Sequence, residues 1–331
     1  MRVILFGTQS HILAAVAECL DAIGAQYSIV STRRAGDLAQ VTNCQDFVGI
    51  GLNDFLNPTQ VLADNIQNYA LTCRADVLIP VDMAALNAFA VMRGALPQCR
   101  IFPISRADTL DLMHNKWRFF NLCRAANIPT PNTWLIETMD QAANVQTQYP
   151  VMIKPLAIGG GIGVQSVADA GTLYDRLSAW PPSQYPMLMQ EFIPGEDIDV
   201  SVLANRGKVI AWTVQKWNGE AELEFLDHPA AVQLAAKLVA KSDFSGVAHF
   251  DMRVDERDGT LNLIECNPRF WATVSASLQA GVNFAALGAR VAMGLPYRAK
   301  PAKPCTVAVS GPMTGAFQDS AKVGARGLIV N

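Results

Sequence analysis

The stretch that decides the reading is FDMRVDERDGTLNLIECNPRF, residues 250–270. Two apolar runs flank the turn Glu256–Thr260, which reads as two strands of one hairpin. Asp251 and Glu265 then fall on neighbouring strands, where side chains at facing positions converge. Asp251, Glu265 and the amide oxygen of Asn267 make a hard, all-oxygen set suited to Mg²⁺ bridging phosphates, and poorly suited to zinc. Arg269 lies two residues beyond Asn267, on the same side of an extended chain, as a fixed planar cation for a phosphate or carboxylate. The bland alternative is a surface hairpin with its polar residues on the wet face. Against it, Glu265 follows the apolar run LNLI and precedes Cys266.

Upstream lies VMIKPLAIGGGIGV, residues 151–164. Lys154 ends an apolar strand, which lets its stem pack while the ammonium reaches a ligand. Gly159, Gly160, Gly161 and Gly163 allow backbone N–H groups to approach a phosphate, although the string is not a Walker-type P-loop. A glycine-rich hairpin tip is the plain alternative. Between these two motifs runs MLMQEFIPGEDIDVSV, residues 187–202. Gln190, Glu191, Phe192 and Ile193 offer edge partners and apolar surface for a purine, and Asp197 a carboxylate for a ribose. Read alone, the stretch is an ordinary strand–turn–strand. Lys116 sits in a helical stretch, and Lys216 sits between tryptophans in WTVQKW. Either lysine, taken singly, reads as solvated.

Working outward, residues 1–104 alternate strands with helices: RVILFG, HILAAVAECLDAIG, QYSIVST, DFVGIGL, PTQVLADNIQNYALTC, ADVLIPV, MAALNAFAVMRGAL and RIFPIS. That alternation predicts a doubly wound parallel sheet, with Gly7 and Asp82 at strand ends where ligands gather. The loop GTQSHI is not G-x-G-x-x-G, so a dinucleotide site has weak support. A second unit, 105–186, opens with a single helical stretch, ADTLDLMHNKWRFFNLCRAAN, and holds the glycine loop. A third, 187–300, carries the hairpin with its turn at Asn205–Gly207 and the acidic pair. Residues 301–331 form a tail of small and apolar residues.

Composition bounds the rest. The chain has 331 residues, 50% hydrophobic and 17% charged, with a net charge of −3. That supplies real cores and no basic footprint for nucleic acid. No apolar run reaches the ~18 residues of a membrane helix, and MRVILFG is too short for a signal sequence. The 7 cysteines are odd in number and contain no C-x-x-C, which fits a reducing, cytoplasmic setting.

Taken in order — a lysine on a helix, a lysine before a glycine loop, a Q-E-F-I hinge, then D…E-x-N-x-R — these pieces resemble the ATP-grasp superfamily, closest to its carboxylate–amine ligase branch and to stand-alone relatives of the carbamoyl-phosphate synthase large subunit. The resemblance covers about residues 105–295, most specifically in FDMRVD and ECNPRF. It implies a two-lobed ATP-grasp fold behind a Rossmann-like domain, with ATP and Mg²⁺ (Mn²⁺ as substitute) as cofactors. Lys116 and Lys154 would hold phosphates, and the 159–163 loop would close over them. Gln190, Glu191, Phe192 and Ile193 would hold adenine, with Asp197 on the ribose. Asp251, Glu265 and Asn267 would bind the metal. Arg269 would steady the transferred phosphate or the substrate carboxylate, and Lys216 would add a phosphate contact. The family more often has glutamate where Gln190 and Asp197 stand. The implied reaction activates a small-molecule carboxylate as an acyl phosphate and joins it to an amine. A small-molecule kinase on the same fold, or a non-catalytic ATP-binding protein, are the alternatives. A homodimer is the default assembly.

Overall fold

The computed structural model describes residues 1–157, 161–181, 185–219, 221–298 and 301–309. Strands β1 (Arg2–Phe6), β2 (Gln26–Thr32), β3 (Asp46–Ile50) and β4 (Val77–Pro80) form a parallel sheet in the order β3-β2-β1-β4. In β1, Ile4 and Phe6 face one hydrophobic cluster while Val3 and Leu5 face another. A parallel strand covered on both faces needs such a continuous apolar run, which is why RVILF carries no polar alternation.

A smaller antiparallel sheet has the order β5-β8-β6-β7, from β5 (Thr133–Ile136), β6 (Val151–Pro155), β7 (Gln165–Val167) and β8 (Met187–Glu191). It has its own core around Val151, Ile153, Leu173 and Met189. The large antiparallel sheet has the order β13-β12-β9-β10-β11-β14. Its strands are β9 (Gly195–Asn205), β10 (Lys208–Trp217), β11 (Glu222–Leu226), β12 (Gly246–Asp255), β13 (Leu261–Asn267) and β14 (Cys305–Ala308). One face of this sheet (Val200, Val202, Phe250, Met252) shares a single core with Ile4 and Phe6 of the first sheet. The large sheet and the N-terminal unit therefore pack as one body of apolar side chains, while the small sheet keeps a separate core.

Three details differ from the sequence reading. The stretch from Ala107 is two helices, Ala107–His114 and Lys116–Ala125, broken at Asn115. Asn115 leaves the helical region and its Oδ1 accepts from the N–H groups of Trp117 and Arg118, capping the second helix. Lys116 thus opens a helix instead of lying along one. Second, Met187–Glu191 pairs with β5 and β6, so the crossing from the small sheet to the large one falls at Phe192–Pro194. Third, part of the tail is ordered as β14, the edge partner of β11. Among the described residues, no helix is long and apolar enough to cross a membrane, and all 7 cysteines are free thiols.

Candidate functional site

The hairpin β12–β13 places Asp251 opposite Glu265 and His249 opposite Asn267. Directly opposed residues of an antiparallel pair point to the same face, and residues two apart along a strand share it. The register slips just after the acidic pair, where Met252 faces Leu263 and Ile264 is the extra residue. That bulge shifts the ladder by one residue beside the acids. On the other side of β12, Asp199 of β9 lies opposite Asp251, and Ser201 opposite His249. Three carboxylates, Asp199, Asp251 and Glu265, therefore cross three strands in a row on one face.

The cations come from other elements. Lys116 Nζ lies 3.3 Å from Glu265 Oε2, and the two side chains are only 5% and 14% exposed. The Lys116 backbone N–H donates to Leu156 O at 2.9 Å, and His114 Nε2 lies 3.1 Å from Ala157 O. These contacts tie the helix start to the strand that carries Lys154, itself buried. Arg269 donates to Phe270 O at 2.8 Å and approaches Asn267 Oδ1 at 3.4 Å. Asp82, fully buried, caps the Met83–Met92 helix through Ala85 and accepts from Thr8 and Gln9. Asp82 and His11 both interact electrostatically with Arg269, so the ends of β1 and β4 open onto the same site.

Charge balance separates the acids. Burial pushes the Glu265 carboxyl up, but Lys116, Lys154 and hydrogen bonds from Lys116 and Asp251 outweigh it and hold it below the usual range. Burial and the neighbouring charges of Glu265 and Asp199 push Asp251 well above the usual range. Burial and Asp197 raise Asp199 to about 8. Burial lowers Lys154 to about 8, with Glu265 working against that and Lys116 adding to it. Burial and Arg269 lower His249 to about 3, so its imidazole is neutral. A partly buried face that sets Asp199, Asp251 and Glu265 side by side, built of hard oxygens, fits a divalent cation such as Mg²⁺. Asp251 and Glu265 meet that requirement directly, and Asn267 adjoins them at the end of β13.

The hinge is more committed to protein contacts than the sequence implies. Gln190 is buried and its Nε2 donates to Thr133 Oγ1 at 2.9 Å. The Glu191 carboxylate accepts from Asn132 Nδ2 at 3.1 Å and Arg257 at 3.2 Å. Phe192 lies beneath the Arg253 guanidinium at 5.1 Å, and Ile193 is buried. Asp197 pairs with Arg253 at 2.9 Å, although its side chain is 69% exposed. Gly195 has a φ of +134°, and a Cβ there would stand 1.9 Å from Val254 O. Only glycine lets the hinge cross β12 so closely.

Lys216 is not brought to this cluster, which corrects its place among the catalytic candidates. It pairs with Glu224 at 3.6 Å and Glu196 at 3.8 Å. Gln215, its neighbour on β10, lies opposite Asp199, and alternation turns Lys216 to the other face. Gly159 and Gly160 lie outside the described residues. Gly161 and Gly163 have φ of +72° and +77°, as a tight loop requires.

Sequence reading missed Asp199, His249 and Gln215. The signal was present as the two-residue period of Asp197-x-Asp199-x-Ser201 and of His249-x-Asp251, but it becomes a cluster only once β9 is known to pair with β12.

Comparison with known proteins agrees with this geometry. Two family models match: "D-ala D-ala ligase C-terminus" over residues 122–229, and "ATP-grasp in the biosynthetic pathway with Ter operon" over 183–311. The carbamoyl phosphate synthase large chain of Mycobacterium sp. (strain JLS) is 27% identical over 205 residues. That match covers 56% of this chain but only 18% of the relative, so the chain spans about a fifth of its length. Among solved structures, the L-amino acid ligase of Bacillus licheniformis superposes with a TM-score of 0.67 at 18% identity, covering 92% of this chain and 74% of that one. Carboxyaminoimidazole ribonucleotide synthase of Aspergillus clavatus, solved with ATP, gives a TM-score of 0.72 at 17% identity, covering 97% and 85%. With its fold, its acidic hairpin and these matches, the chain is similar to ATP-grasp domain families and to carbamoyl phosphate synthase large chains.

Proposed function

We propose that this protein is an ATP-dependent ligase that activates a carboxylate as an acyl phosphate and joins it to an amine, releasing ADP and phosphate. The observation that carries the reading is the facing pair Asp251 and Glu265 grouped with the buried Lys116 and Lys154 between the two antiparallel sheets. Mg²⁺ would be held by Asp251, Glu265 and Asn267 and would supply neutralisation of the phosphate oxygens. Lys116 and Lys154 would place cations against the phosphates from the small-sheet side. Phosphoryl transfer asks little covalent chemistry of a protein, and fixed cations in a dry cleft supply most of what it needs.

Arg269 stands between Asn267 and the buried Asp82, facing the ends of β1 and β4. It is the natural partner for the substrate carboxylate or the phosphate it receives. The loop Gly7–Gln9 and His11 border that position and would shape substrate choice. Adenine would lie along Phe192 and Ile193. Asp197 reaches a ribose only by sharing or releasing Arg253. One of the structures of similar fold named above is an L-amino acid ligase, which supports the same reaction class.

Glu265→Gln tests the assignment. It keeps the shape of the side chain and removes its charge from both the metal set and Lys116. Mg²⁺-dependent ADP release should fall by about 10²–10³-fold, as when one fixed electrostatic group is lost from an active site. Unchanged turnover in a folded variant would remove the assignment. Phosphate found stably on a substrate hydroxyl would move the reading to a kinase.

A further inference from the structure

Beside the proposed Mg²⁺ set lies a second ligand group that contains nitrogen. Asp199, His249 and Asp251 each offer one ligand atom, and the three atoms lie within 4.8 Å of one another. His249 Nε2 is 3.5 Å from Asp251 Oδ1 and 3.7 Å from Asp199 Oδ2. Those separations are at or past the limit of a hydrogen bond. They are close to the ~3.4 Å between two ligand atoms that are each ~2.1 Å from a tetrahedral ion.

The imidazole is held for such a role. Its Nδ1 lies 2.8 Å from Ser201 Oγ, and its ring stacks on Trp271 at 5.5 Å with an interplanar angle of 17°. In the tautomer that carries its ring proton on Nδ1 and donates it to Ser201, the Nε2 lone pair faces two carboxylates. A metal-binding histidine has this outer partner as a rule, because it fixes the tautomer and aims the other nitrogen.

A second observation points the same way. Gln215 lies opposite Asp199 on β10, is 3% exposed, and its Nε2 donates to Thr273 Oγ1 at 3.5 Å. Its Oε1 has no hydrogen-bond partner, although it is fully shielded from solvent. Such an acceptor in a native interior calls for a donor, and water bound to a neighbouring cation is one.

We propose that Asp199, His249 and Asp251 bind a divalent first-row transition ion through one imidazole nitrogen and two carboxylate oxygens, without nucleotide. An imidazole in the set favours such ions over Mg²⁺ and Ca²⁺, which take oxygen ligands. The site does not depend on the ligase reading; it shares only Asp251 with the proposed Mg²⁺ set.

Co²⁺ is the probe, since its visible ligand-field bands report coordination. The full-length chain is stripped with chelator, desalted and titrated with Co²⁺ in the absence of nucleotide, then challenged with Zn²⁺. The expected result is a stoichiometric band that Zn²⁺ displaces. The band should be lost in His249→Gln and in Asp199→Asn, with both variants checked for native circular dichroism. Glu265→Gln should keep the band while losing Mg·ATP turnover, so failure of the ligase reading and failure of this site are read separately. No Co²⁺ band in the wild type, or a band unchanged in both folded variants, would overturn the proposal.

Discussion

Lys116→Met isolates the buried ion pair that joins the helix start to the acidic hairpin. Methionine keeps most of the stem and removes the ammonium that lies 3.3 Å from Glu265. The Glu265 carboxyl is held low in the folded protein, so its contribution to stability is present above its unfolded value of 4.5 and is lost as pH falls through the folded value. In the variant, Glu265 must stay charged beside Lys154 alone or take up a proton. Proton uptake costs about 1.4 kcal/mol per pH unit above the unfolded value, so it caps the loss at about 4 kcal/mol near pH 7.5 and about 2 kcal/mol near pH 6. Truncating one partner of a buried pair costs about 3–5 kcal/mol in general. The expected destabilisation is therefore about 2–4 kcal/mol near pH 7.5, shrinking toward acid at no more than about 1.4 kcal/mol per unit. Urea unfolding in EDTA across this range measures it, with tryptophan fluorescence and near-ultraviolet circular dichroism required to coincide. A loss that does not change with pH, or one below about 1 kcal/mol near pH 7.5, would refute the reasoning.

Three other outcomes follow from the same geometry. Lys154→Ala should weaken nucleotide binding by about 10–100-fold in calorimetry, the value of a charge-assisted phosphate contact. Because burial lowers Lys154 to about 8, wild-type affinity for ATP should be flat below that pH and fall above it as the free ammonium loses its proton, while Lys154→Ala shows no such break. Gly195→Ala forces a Cβ to within 1.9 Å of Val254 O at a φ of +134°, so the hinge must move. Thermal unfolding should show a loss of about 1–3 kcal/mol, and nucleotide affinity should drop with it. In Gly288→Ala the new Cβ would meet the Phe102 ring at 2.0 Å, where the Phe284–Ala292 helix docks. Overpacking of about 1–3 kcal/mol should appear in denaturant midpoints, with Mg²⁺-dependent turnover per folded molecule unchanged.

The parts of this structure that local rules govern were legible in the sequence. Alternating strands and helices announced the parallel N-terminal sheet, because a strand buried on both faces leaves a continuous apolar run such as RVILF. The turn at Glu256–Thr260 was enough to put Asp251 and Glu265 on neighbouring strands, but its register alone sets Asp251 against Ile264, and the bulge there is what brings Glu265 opposite. What failed was whatever needs a neighbour from far along the chain. The break at Asn115 was hidden inside a convincing helical pattern, because one asparagine can cap as easily as it can continue. Lys216 was a phosphate contact by resemblance alone, yet face alternation turns Gln215, and not Lys216, to the side of Asp199. The Arg257 and Arg253 contacts of Glu191 and Asp197 are matters of sheet pairing, and no spacing rule announces them. The Asp199–His249 contact likewise depends on β9 lying beside β12, across some fifty residues of chain.

The most direct test of the central claim measures ADP and phosphate release from Mg·ATP across a panel of small carboxylates and amino acids, each with and without an amine acceptor, with products followed by mass spectrometry. The account predicts release that requires both a carboxylate and an amine, one condensed product per ADP, and loss of all three in Glu265→Gln. Nucleotide bound tightly with no release on any pair, or release that needs no carboxylate, would contradict it.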